Sequence, residues 1–169
     1  MRNKPIAMVF DVESIGLHGQ SFAVAYIVIS KEGKALEEAV FACSPDIAIG
    51  SAQDREWCRA NIPPLEKTHS SLPEMRDSFW ARWIFWKQEG AVLVAEVAWP
   101  VEARFLAACV DDDPESRRWE GPHPLVDLTS LQLLEHGPPL NNRPRLPEHL
   151  PEHHPLADAR HSVALWNQY

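Results

Sequence analysis

Ile6-Ala7-Met8-Val9-Phe10-Asp11-Val12-Glu13 runs through five apolar residues into two acids that flank a single valine. An unbroken apolar run of this length predicts a buried strand over Ile6–Phe10, bounded at Asp11. Alternation in an extended chain puts residues 11 and 13 on one face, roughly 7 Å apart. Two carboxylates aimed together off a buried strand are costly unless something cationic lies between them. Hard divalent ions such as magnesium or manganese, held through carboxylate oxygens and water, meet that need. Two solvated acids at an exposed strand end fit the same residues, so the pair alone leaves both readings open.

Outward from this stretch, Phe22–Ile29 predicts a second strand, Lys31–Lys34 a turn, and Leu36–Cys43 the returning third strand. Three antiparallel strands therefore open the chain. Gln53–Asn61 predicts a short helix ended by Pro63 and Pro64. Over Pro73–Glu89 the residues Met75, Phe79, Trp83 and Trp86 form one helical stripe. Trp80 lies off that stripe and is a candidate homodimer surface. Ala91–Ala95 follows Gly90 as a fourth strand, and Val101–Val110 as a helix with Pro100 at its first position and Phe105 and Leu106 facing inward. Asp111–Pro114 reads as a loop, Pro124–Leu128 as a fifth strand and Pro155–Asn167 as the closing helix. Proline crowds residues 135–154, which predicts an extended, irregular segment there. The expectation is one α/β domain over residues 1–169: a mixed five-stranded sheet, three strands antiparallel and the rest reached by crossovers, covered by helices.

Composition bounds the function. With 45% hydrophobic and 24% charged residues the chain has globular composition. No run approaches the ~20 apolar residues of a membrane span, and the basic start at Met1–Pro5 lacks the pattern of a signal peptide. Cys43, Cys58 and Cys109 are odd in number and free of CxxC spacing, which predicts reduced thiols in a cytoplasmic protein. A net charge of -8 excludes a broad electrostatic binder of nucleic acid, though bound divalent metal inverts the local charge of an acidic site.

Near the other end, His153-His154-Pro155-Leu156-Ala157-Asp158 sets an imidazole in the loop before a helix and an acid near its first turn. Alone, a histidine–proline loop also serves as a cap and turn. Together with Val9–Leu17, this segment resembles the DEDDh 3'-5' exonucleases, members of the ribonuclease H-like fold. Asp11 and Glu13 followed by Gly16-Leu17 look like that family's first motif, and His153 with Asp158 like its third. The middle motif departs from the pattern, because Glu102 stands where the family has aspartate; Glu96 is a rival for the same role. Asp127 reads as structural or loop-capping.

The resemblance implies two-metal phosphodiester hydrolysis with two Mg2+ or Mn2+ ions. It implies metal ligation by Asp11, Glu13, Glu102 and Asp158, with Asp11 bridging, and His153 as general base, leaving His154 as its alternative. It also implies that Ser14, Gly16 and Leu17 hold the terminal nucleotide. The expected substrates are single-stranded or short DNA or RNA 3' ends. Two other readings stand beside it: a ribonuclease H-like binding or assembly module of impaired activity, and a zinc hydrolase built on His149, His153, His154 and His161.

Overall fold

A computed structural model describes residues 6–137 and 145–169. Strands β1 (Ala7–Ser14), β2 (Ser21–Ile29) and β3 (Ala35–Ala42) open it, followed by helices α1 (Ala52–Asn61) and α2 (Leu72–Gln88). Strand β4 (Val92–Ala95), helices α3 (Ala103–Asp112) and α4 (Pro114–Arg117), strand β5 (Leu125–Asp127) and helices α5 (Leu128–His136) and α6 (Pro155–Trp166) complete it. The sheet order is β3-β2-β1-β4-β5. β1 and β2 are antiparallel, as are β2 and β3, while β4 runs parallel to both β1 and β5. This is the mixed five-stranded sheet expected from the sequence.

Strand alternation divides the core into two layers. Met8, Phe10 and Val12 point to one face, where they meet Met75, Phe79 and Trp83 of α2 and Phe105, Leu106 and Cys109 of α3. Ala7 and Val9 point to the other, against Ala159, Leu165 and Trp166 of α6 and Leu128 of α5. With both faces covered, all nine residues of β2 are buried, which explains its unbroken apolar composition. Helix α2 starts at a capping box, Ser71 accepting from the Glu74 amide while the Glu74 carboxylate accepts from Ser71. Its Phe79 sits among Phe10, Tyr26 and Phe105, with ring centroids 5.1 to 6.2 Å apart.

Several expectations are corrected. β1 does not stop at Phe10. Its antiparallel pairing with β2 continues to Ser14 opposite Ser21, so Asp11 and Glu13 lie inside the strand and hold its extended geometry. The predicted fifth strand is shorter, because Asp127 caps α5 by accepting from the Ser130 amide at 2.7 Å, and α5 went unpredicted. An aspartate cap followed by a helix ending at Gly137 was the available signal. The Asp111–Pro114 loop instead ends α3 and starts the short α4, with Asp113 as its cap and Pro114 in the first turn. Within residues 135–154 a 3-10 turn spans Pro147–His149, and residues 138–144 lie outside the described residues. Trp80 is no surface residue: it is 5% exposed, part of the α2–α3 core, with the Arg117 guanidinium 5.6 Å from its ring. It therefore offers no dimer face. The three cysteines are free and buried. Among the described residues no helix is long and apolar enough to cross a membrane.

Candidate active site

The parity that separates the two core layers also builds the site. Residues 7 and 9 of β1 bury against α6, and 11 and 13 continue the same face past the end of β4, whose pairing with β1 stops at Val9–Val94. There the acids meet Asp158, which α6 carries in its first turn. Pro155 opens that helix at its first position, as the sequence predicts, and the His154 carbonyl accepts from the Asp158 amide at 3.0 Å. The chain from β4 passes through a wide helical turn, Ala98–Glu102, interrupted by extended backbone at Trp99. This turn delivers Glu102, 9% exposed, to the same spot, its carboxylate held by hydrogen bonds from its own amide and that of Val12.

His153 precedes the helix with φ of 61°, a left-handed conformation that costs a non-glycine residue roughly 1 kcal/mol or more. Its amide donates to Asp158 Oδ2 at 3.0 Å. Its ring meets the Trp57 ring edge to face, centroids 5.0 Å apart. Glu13, His153 and Asp158 each offer a ligand atom within 4.8 Å of the others.

The electrostatics show how tightly the acids are gathered. Burial first, then the charges of Asp158, Glu102, Glu13 and Glu96, hold the Asp11 carboxyl well above the usual carboxylate range. Asp11 keeps some solvent contact as a residue, yet its carboxyl is enclosed by protein. Glu13 is pushed up to about 9, by burial and then by Asp158 and Glu102, with Arg145 pulling it back. Glu102 is pushed up to about 7, chiefly by burial. Burial also raises Asp158 and Glu96, and Arg145 opposes it at both. A group of buried carboxylates that resists ionising together is the donor set a hard divalent cation would satisfy.

The structure thus gathers Asp11, Glu13, Glu102, Asp158 and His153. Glu96 stands near them too, but its Oε2 accepts from Ser162 at 3.1 Å. Of the two, Glu102 acts more strongly than Glu96 on the Asp11 carboxyl. Asp127 is a cap, as read from the sequence, and its second oxygen accepts from the Ala98 amide at 2.8 Å. Of the four histidines weighed for zinc, His149 and His161 pair with each other, Nδ1 to Nδ1 at 3.4 Å, while His153 belongs to the acidic cluster.

Beside the cluster lies a groove of about 380 Å3, lined by Glu13, Ser14, Gly16, Leu17, Trp57 and His153, with Asp54 and Val101 at its walls. Ser14, Gly16 and Leu17 line this groove together with Glu13. Gly16 has φ of 68°, and a Cβ there would fall 2.4 Å from the Asp54 carboxyl carbon. Ser14 Oγ donates to the Gly16 carbonyl at 2.6 Å, and Cys58 Sγ backs the loop at 3.3 Å from the Ser14 carbonyl. Sequence reasoning missed Trp57, Asp54 and Arg145. The first two lie i, i+3 on α1, a spacing that could have flagged one shared face; nothing in the proline-rich run marks Arg145.

No protein-family model matches the chain, and no curated protein matches it in sequence. Solved structures do match in fold. A zinc-bound complex of E. coli ExoI with ssDNA aligns at TM-score 0.68 and 12% identity, over 96% of this chain and 39% of that one. An exonuclease I structure described in terms of processivity aligns at 0.68 and 15%, over 97% and 40%. A product-bound exonuclease I aligns at 0.66 and 15%, over 95% and 42%. The chain spans about two fifths of the length of these structures. The likeness establishes a ribonuclease H-like α/β fold.

Proposed function

We propose that this chain is a single exonuclease-like domain over residues 1–169, a DEDDh-type enzyme that hydrolyses phosphodiester bonds from the 3' end of single-stranded or short DNA or RNA. The observation carrying the proposal is the meeting of Asp11, Glu13, Glu102 and Asp158 with His153 in one cluster, drawn from the first strand, the middle of the chain and the last helix. Fold likeness to exonuclease I, one example of which is an ssDNA complex, supports the same reading.

Asp11, Glu13, Glu102 and Asp158 would hold two divalent ions, Mg2+ or Mn2+, which when bound neutralise phosphate charge and lower the pKa of a coordinated water. The residues themselves supply orientation. Ser14, Gly16 and Leu17 seat the terminal nucleotide in the groove, and the bare Gly16 backbone leaves room for the Asp54 side chain at its wall. His153 accepts the proton of the attacking water at a ring nitrogen, its ring positioned by Trp57 and its backbone by Asp158. Glu102, at the position where the family has aspartate, ends the wide Ala98–Glu102 turn.

The test is a labelled single-stranded oligonucleotide, in DNA and RNA forms, incubated with Mg2+ or Mn2+ and resolved for mononucleotide release. The expected result is stepwise loss from the 3' end by the parent protein and none by Asp11→Asn. Oligonucleotide binding without release under either metal would support the binding-module alternative instead.

A further inference from the structure

Arg145 stands inside the acidic cluster, and the function just proposed leaves it without a part. One of its guanidinium nitrogens pairs with Asp158 Oδ1, while Asp158 Oδ2 already accepts the His153 amide at 3.0 Å. Both oxygens of this carboxylate are therefore engaged. Among the described residues Arg145 is the one basic side chain ion-paired to these acids. Its Nε also lies 3.7 Å from Glu152 Oε1. The Arg145 side chain is 23% exposed, Asp158 9% and Glu152 61%, so the arginine has an inner partner and an outer one.

An ion coordinated by Asp158 competes for its oxygens with the two donors already on them. The His153 amide is fixed by the start of α6, whereas Arg145 has a long, rotatable stem and a second carboxylate within reach. A guanidinium and a divalent ion on one carboxylate also repel each other strongly at such short range. We propose that Arg145 is a resident counter-cation of the cluster, seated on Asp158 when no divalent ion is bound and transferred to Glu152 when one is. This rests on the reading of the cluster as a metal site. It means that metal binding works against a built-in competitor, and that Glu152 favours binding by receiving the displaced arginine.

The two variants predict changes of opposite sign. Calorimetric titration of Mn2+ alone into the full chain at pH 8 should give about tenfold tighter binding for Arg145→Gln than for the parent. Glu152→Gln, a surface change, should bind roughly two- to threefold more weakly. Equal affinities in all three proteins, or weaker binding by Arg145→Gln, would overturn the inference about Arg145 while leaving the metal site standing. Absence of Mn2+ binding in all three would overturn the metal-site reading and this inference with it. If Arg145→Gln fails to fold by circular dichroism, Glu152→Gln decides alone: binding as tight as the parent's, or tighter, overturns the inference.

Discussion

Asp11 is the residue on which the other acids act most: four neighbouring carboxylates and burial all oppose its ionisation. Asp11→Asn removes, at nearly constant shape, a carboxyl whose ionisation the folded state opposes. At pH 8 without metal its melting temperature should rise above the parent's, while metal-dependent hydrolysis falls by roughly a hundredfold or more. Thermal melts and the oligonucleotide assay on the same preparations check both halves, and a variant less stable than the parent would contradict the crowding argument. Gly16 offers a second test at this scale. Gly16→Ala forces a Cβ into the Asp54 carboxylate and strains a positive φ, so it should cost about 1–3 kcal/mol in urea unfolding. In the background Asp54→Ala the steric part should vanish and only the backbone part remain, a non-additivity that a double-mutant cycle reads directly.

Among the elements, α6 joins structure to chemistry. One side of it packs Ala159, Leu165 and Trp166 on the Ala7–Val9 face of β1, and its first turn carries Asp158 to the acids that continue that face. Leu165 lies seven residues beyond Asp158, two turns along the helix, and is 3% exposed. Leu165→Ala should cost about 2–5 kcal/mol by opening a cavity in this smaller core layer. Because the same helix sets Asp158, Mn2+ affinity should fall as well, although Leu165 lies two turns away from it. A denaturant melt and a metal titration check the pair, and destabilisation with unchanged affinity would separate helix packing from site geometry.

For the whole molecule, raised carboxylate pKa values couple the site to folding. Glu13 titrates near 9 and Glu102 near 7 in the folded chain, against 4.5 as their ordinary value. The folded state thus holds more protons than the unfolded one between these limits, and stability falls as pH rises there. The metal-free protein should be most stable near pH 5 and lose melting temperature progressively toward pH 9, with Glu102 contributing up to about 7 and Glu13 up to about 9. Saturating Mg2+ binds the ionised forms and should offset most of that loss above pH 7. Differential scanning calorimetry across this range, with and without Mg2+, checks the slope; a metal-free melting temperature that rises from pH 5 to 9 would contradict it.

From residue order alone came the strand parity that puts Asp11 and Glu13 on one face, the helix opening at Pro155, and the three antiparallel strands, because each depends on a period or a cap that neighbours in sequence define. The likeness of the two end motifs to one exonuclease family was also legible there. Tertiary structure alone decided that Glu102 projects into the cluster while Glu96 leans on Ser162, that Trp80 is core, and that Trp57 and Arg145 border the site. These depend on which helix face meets which sheet face, and on a wide turn and a proline-rich passage that carry no period. Distances between elements remote in sequence are fixed by packing, and no local pattern encodes them.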